Sequence, residues 1–115
     1  MPNNNKHLIK EIVEQYYFGN FQVIIDNLND NVSWTSHKMA NVQLKNKQDI
    51  VDFLENVPVG RFTFENTKFI LDDDNVVVEG ICRYKNREGK PIENFYCDIF
   101  TFIENKIAKV SAYFI

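Results

Sequence analysis

One carboxylate in this sequence sits where carboxylates are costly. Asp98 lies in the run Asn94–Phe102, Asn-Phe-Tyr-Cys-Asp-Ile-Phe-Thr-Phe. Aromatic and β-branched residues dominate the run, which predicts a long strand. Alternation puts Tyr96, Asp98, Phe100 and Phe102 on one face and Phe95, Cys97, Ile99, Thr101 and Ile103 on the other. An acid among rings is expensive to ionise, so Asp98 is expected to be paired, hydrogen-bonded or kept protonated. The preceding strand offers two sets of neighbours. If Glu88-Gly89 forms a two-residue turn, Glu79 stands roughly opposite Asp98, and Ile81 and Arg83 share that face. Glu79 would then push one acid's pKa up, or Arg83 would neutralise both. A slip of one residue would instead put Gly80 and Cys82 inside, with Glu79 and Arg83 outside. The first register is adopted as the expectation.

Other groups capable of chemistry read more plainly. Cys82 and Cys97 fall on adjacent predicted strands and are taken as small buried hydrophobes. The expected register does not face them for a disulfide, and a metal site would want more ligands. Asp72-Asp73-Asp74 lacks the spaced oxygens of a calcium loop and reads as a solvated turn. No metal or cofactor is expected.

These groups need a scaffold, and 115 residues supply one domain with a single core. Hydrophobic residues make up 44% and charged residues 25%, the proportions of a soluble globular protein. Ten phenylalanines suggest a core or cavity walled by rings. A net charge of −3 without a basic stripe argues against a nucleic-acid partner. No apolar run approaches the ~20 residues of a membrane span. The start lacks a signal-peptide core, so a cytoplasmic location is expected.

Leu8, Ile9, Ile12, Val13, Tyr16 and Tyr17 recur at helical spacing and predict an amphipathic helix from about Lys6 to Phe18. Gly19 should stop it, and Asn20 should cap a short second helix with Phe21, Ile24, Ile25 and Leu28 buried. Asn29-Asp30-Asn31 should break that helix. Val32–Ser36 reads as a short strand, and Val42 and Leu44 as another extended piece. Lys47 to about Asn56 forms a third helix, with Ile50, Val51, Phe53 and Leu54 apolar and Pro58 just beyond. Four long strands follow over Arg61–Leu71, Val76–Lys85, Glu93–Ile103 and Lys106–Ile115. Their short connections imply an antiparallel meander. The fold class is therefore α+β, with three N-terminal helices on one face of a curved antiparallel sheet. The face with Phe95, Cys97 and Ile99 then needs a second cover, most simply another copy in a two-fold dimer.

The order helix, Gly-Asn-Phe, short helix, Asn-Asp-Asn-Val-Ser-Trp, third helix and meander resembles the SnoaL-like, or nuclear-transport-factor-2-like, superfamily. The tail agrees, with Asp98-Ile99-Phe100, then Glu104-Asn105-Lys106-Ile107, then Tyr113-Phe114. The resemblance implies a cone-shaped, cystatin-like α+β barrel with an apolar pocket at its open end. Trp34, Tyr96 and Phe100, with Glu79 and Arg83, would line that pocket. Ile12-Val13-Glu14-Gln15-Tyr16 resembles the segment carrying the tyrosine donor of the steroid isomerases, and Asp98 falls on their protonated aspartic acid. The resemblance thus implies an oxyanion hole of Tyr16 and Asp98, two donors stabilising an enolate. Those isomerases place an aspartate base where this chain has Ser36, beside Thr35 and His37. His37 could serve as the base, since its reference pKa of ~6.5 suits one. Steroid isomerisation itself is not expected. Nor is epoxide hydrolysis, which in this superfamily wants an Asp-Arg-Asp set; beside Arg83 the inward position is Ile81.

Two functions follow. One is a cofactor-free isomerase, cyclase or lyase moving a proton on a small apolar carbonyl compound, with Asp98 as acid or base, Tyr16 as oxyanion donor and His37 as second proton carrier. The other is a non-catalytic ligand-binding or dimerisation module, in which Tyr16 and Asp98 are structural and Trp34 is wall or core.

Overall fold

The structure is a computed structural model and describes residues 3–37, 43–56 and 63–114. Helix α1 runs over Asn3–Tyr17. It turns Ile9, Ile12, Val13 and Tyr17 into the core, the i, i+3, i+4 recurrence of one helix face. Gly19 ends it with φ 89°, a left-handed turn that glycine adopts without steric cost. Helix α2 is Phe21–Asp26. Asn20 stands at its N-cap but makes no side-chain capping bond; its amide donates to Gln15 Oε1 instead. Helix α3 is Lys47–Glu55, and there Asn46 does cap, accepting from Asp49 N at 2.9 Å. Ile50 and Leu54 of α3 are buried.

Six strands form one sheet: β1 Leu28–His37, β2 Gln43–Leu44, β3 Thr63–Asp72, β4 Asn75–Lys85, β5 Pro91–Ile103 and β6 Lys106–Phe114. The order is β2-β1-β6-β5-β4-β3. The expected meander is present from β3 to β6, closed at one end by Glu104-Asn105. Both turn residues have positive φ, 50° and 67°, as the favoured two-residue hairpin turn requires. Strand β1 then lies parallel to β6. The sheet is open, with β2 and β3 as its edges.

Two expectations need correction. Asn29-Asp30-Asn31 does not separate helix from strand; it lies inside β1, and the irregularity it causes is a register shift between Leu28 and Ser33. There Asn29 Oδ1 accepts from Asn31 N at 2.9 Å, the local side-chain bond that asparagine favours. Leu28 accordingly belongs to the strand. Expectations for Val42, Pro58, Arg61 and Ile115 lie outside the described residues.

The helices cover the sheet face that carries Trp34, Val76, Val78, Tyr96, Phe100, Phe102, Ile107 and Val110. Each large side chain fully buried there contributes about 1.5–3 kcal/mol. No described helix is long and apolar enough to cross a membrane.

Candidate functional site

Strand β5 runs through the middle of the sheet, and its alternation sets the site. Tyr96, Asp98, Phe100 and Phe102 are buried on the helix-covered face. Asp98 is the only buried charged residue among those described. Tyr17, at the C-terminal end of α1, crosses over β5 and donates its hydroxyl to Asp98 Oδ2 at 2.5 Å. The other oxygen, Oδ1, is buried and has no hydrogen-bond partner among the described residues. Leaving such an acceptor unpaired costs about 1–3 kcal/mol.

Burial raises Asp98 from 3.8 to about 7, and the Tyr17 hydrogen bond pulls in the opposite direction. Near neutrality the group therefore exists in both forms. When neutral, it accepts from Tyr17 on Oδ2 and carries its own proton on Oδ1. The Tyr17 phenol is held well above its usual pKa by burial and by the adjacent Asp98 charge, so it stays a donor.

Rings enclose the acid. Tyr17 stacks on Tyr96 at 5.6 Å and meets Phe64 edge-on at 5.5 Å. Tyr16 packs against Trp34 at 5.6 Å, Phe21 at 5.7 Å and Phe100 at 6.0 Å. Its hydroxyl makes no hydrogen bond among the described residues. Burial, then the Asp98 charge, raises its pKa, so it too remains a protonated donor within reach of the Asp98 field.

The tyrosine bonded to Asp98 is Tyr17, not Tyr16. Neighbouring helix positions differ by about 100° of rotation, and it is Tyr17 that faces β5. Tyr16, Trp34, Tyr96 and Phe100 all lie in the same aromatic cluster.

Glu79 and Arg83 are not in it. The observed register pairs Val78 with Asp98, Glu79 with Cys97 and Gly80 with Tyr96. Val78, Gly80 and Cys82 therefore face inward. Arg83 lies on the outer face and bridges Glu65 at 2.6 Å and Glu93 at 2.9 Å. The cause is the hairpin loop. It holds three residues, Arg87-Glu88-Gly89, between Asn86 and Lys90. Asn86 Oδ1 accepts from both Glu88 N and Lys90 N at 2.9 Å, and Gly89 takes φ 78°. One extra loop residue turns every side chain of β4 over.

His37 is also elsewhere. It follows Trp34 by an odd number of positions along β1, on the opposite face, and stacks on Tyr113 at 4.4 Å. A surface groove lined by Thr63, Arg83, Tyr84, Lys85 and Pro91 lies at the loop end of β4 and β5, away from Asp98. No cluster of metal-ligating side chains occurs among the described residues.

Sequence reasoning missed Tyr17 and Phe64 as parts of the site, and placed Gly80 inside only in the register it did not adopt. Tyr17 was legible as a core residue at helical spacing. The placements of Gly80 and Phe64 depend on the loop length and on a bulge in β3 between Asn66 and Lys68.

Residues 10–110 match the family model described as a SnoaL-like domain. The fold resembles that of an NTF2-like protein of unknown function from Cytophaga hutchinsonii, with 26% identity over 100% of both chains and a TM-score of 0.85. It also resembles an NTF2-like protein of unknown function from Burkholderia pseudomallei, with 17% identity, 97% of this chain, 91% of that one and a TM-score of 0.80. A third likeness is to an LEH-like epoxide hydrolase of M. tuberculosis, with 17% identity, 91% and 80% of the two chains and a TM-score of 0.69. A search of curated proteins gave no match.

Proposed function

Because the chain belongs to the SnoaL-like domain family, we propose that it binds a small apolar carbonyl compound against Asp98 and moves a proton on it without a cofactor. The observation that carries this reading is the buried acid, poised to about 7 with one oxygen free. An acid with a pKa near the working pH is suited to both taking and giving a proton.

Ionised Asp98 removes a proton from carbon next to the carbonyl through Oδ1. The C–H electron pair forms the C=C bond, and the carbonyl π pair moves to its oxygen as an enolate. The Tyr16 hydroxyl donates to that oxygen. Asp98, now neutral, returns the proton to the same or a conjugated carbon. A single carboxyl performs both transfers, since Asp98 is the only buried charged side chain among the described residues. His37 and Glu79 are not needed. Arg83 is committed to two surface glutamates, so it offers no support for epoxide hydrolysis of the Asp-Arg-Asp kind.

The test uses exchange, which needs no product. Apolar cyclic ketones are incubated with the protein in D2O, and loss of the α-proton signal is followed by NMR. Wild type is expected to catalyse exchange. Asp98→Asn should abolish it, and Tyr16→Phe should slow it about 10²-fold. Exchange that survives in Asp98→Asn would refute the reading.

A second reading, ligand binding without turnover, is favoured by one observation: among the described residues Asp98 is the only buried charged side chain, with no second carboxylate or imidazole beside it. It predicts ketone-dependent thermal stabilisation with no exchange. Under either reading, a second copy is expected over the outer face of the sheet, which keeps Phe95, Ile103 and Tyr113 exposed.

A further inference from the structure

We infer that Asn66, an exposed residue of the edge strand, is a positioning residue for Asp98: it anchors Tyr96, and Tyr96 holds Tyr17 on the acid. The inference rests on the reading of Asp98 as the working acid.

The chain of contacts starts at a bulge. Asn66 pairs with Gly80, but Lys68 pairs with Glu79 and Phe69 with Val78. Thr67 is therefore the extra residue, and its hydroxyl bonds to Glu79 O at 3.2 Å. The bulge lets Phe64 and Asn66 share a face while Phe69 and Leu71, beyond it, still pack on the core. Without the extra residue, one of the two sets would point the wrong way.

Gly80 lies between Asn66 and Tyr96 in the sheet. Having no side chain, it lets the Tyr96 ring lie flat across β4. A Cβ at Gly80 would collide with the Tyr96 ring and hydroxyl and with the Glu65 carbonyl. The Tyr96 hydroxyl thereby reaches β3 and donates to Asn66 Oδ1. The anchored ring is the platform on which Tyr17 stacks at 5.6 Å and 23°. Phe64 meets Tyr96 edge-on at 5.7 Å and fills the corner between the two tyrosines. Tyr17 then donates to Asp98 at 2.5 Å. A short, well-aligned hydrogen bond depends steeply on geometry. Losing the Asn66 bond shifts the Tyr96 ring, tilts Tyr17 and weakens that bond. The Tyr17 bond lowers the Asp98 pKa, so its weakening makes the acid bind its proton more tightly.

The measurement is the titration midpoint of Asp98, followed by carboxyl ¹³C NMR on the full chain, with amide spectra to verify the fold. Asn66→Leu should raise the midpoint by about 0.5, a threefold change in proton affinity. Tyr96→Phe removes the same hydrogen bond from its other end. It should give a similar rise that does not add to the first. In a Tyr17→Phe background, Asn66→Leu should have no effect, because the bond it tunes is gone. A purely structural role for Asn66 would change thermal stability while leaving the midpoint in place, and that result overturns the inference. So does a shift that persists undiminished in the Tyr17→Phe background. A wild-type midpoint near 4 would overturn the reading of Asp98 itself.

Discussion

At the scale of single residues, Asp98 links the site to the stability of the fold. Its pKa is raised from 3.8 to about 7 by burial. The folded chain thus holds that proton more tightly than the unfolded chain does. The stabilisation is complete below about 4 and disappears as pH rises through 7. The shift corresponds to roughly 4 kcal/mol. Asn at this position is neutral at every pH and can still accept from Tyr17. Urea unfolding of wild type and Asp98→Asn at pH 4 and pH 8 should therefore diverge. Wild type loses on the order of 4 kcal/mol relative to the variant between those values, whereas parallel pH profiles would mean that Asp98 is not the buried acid described. Its burial was legible in the sequence, because alternation leaves Asp98 no face other than that of Tyr96 and Phe100. Its partner was not. Tyr16 and Tyr17 both belong to the apolar stripe of α1, and only the roll of that helix on the sheet decides which hydroxyl meets the acid.

At the scale of elements, loop and bulge geometry decide which side chains reach the site. The β4–β5 loop shows how little separates two outcomes. A two-residue turn at Glu88-Gly89 would have brought Glu79 and Arg83 inward; the three-residue loop brings Gly80 and Cys82 instead. The sequence Asn86-Arg87-Glu88-Gly89-Lys90 fits either loop until the asparagine's two bonds and the glycine's φ are known. The four meander strands, by contrast, were legible to within about two residues, since their β-branched and aromatic runs are long, whereas β1 begins well before the expected Val32. The element-scale prediction concerns the two glycines of this hairpin. Gly80→Ala meets backbone and the Tyr96 ring and should cost about 1–3 kcal/mol, with a changed near-ultraviolet circular dichroism from the displaced tyrosines. Gly89→Ala meets nothing within 4 Å and strains only its left-handed backbone, about 1–2 kcal/mol. It should leave the aromatic signal unchanged. An unaltered aromatic signal in Gly80→Ala would show that Tyr96 does not lie across β4.

At the scale of the whole molecule, the sheet has two apolar faces and this chain's helices cover one. Both faces of β5 read as apolar in the sequence, and the face of Phe95, Cys97 and Ile99 was the one expected to need a cover beyond the helices; Tyr96, Asp98 and Phe100 are the buried set. On the other face, Phe95 is 54% exposed, Ile103 55%, Ile70 43% and Tyr113 40%. Register groups part of this surface: Ile70, Val77 and Ile99 form one row across β3, β4 and β5, and Cys97, Tyr113 and His37 lie in the next, which Glu79 and Lys68 continue on the β4 and β3 side. A surface of this kind, left in water, favours association. A second copy brings the same patch by symmetry, so one two-fold contact would cover this face on both chains. Wild type is expected to sediment as a dimer, and Phe95→Lys combined with Tyr113→Lys as a folded monomer. A wild type that sediments as a monomer at every loading concentration would show that this face is not an interface between copies.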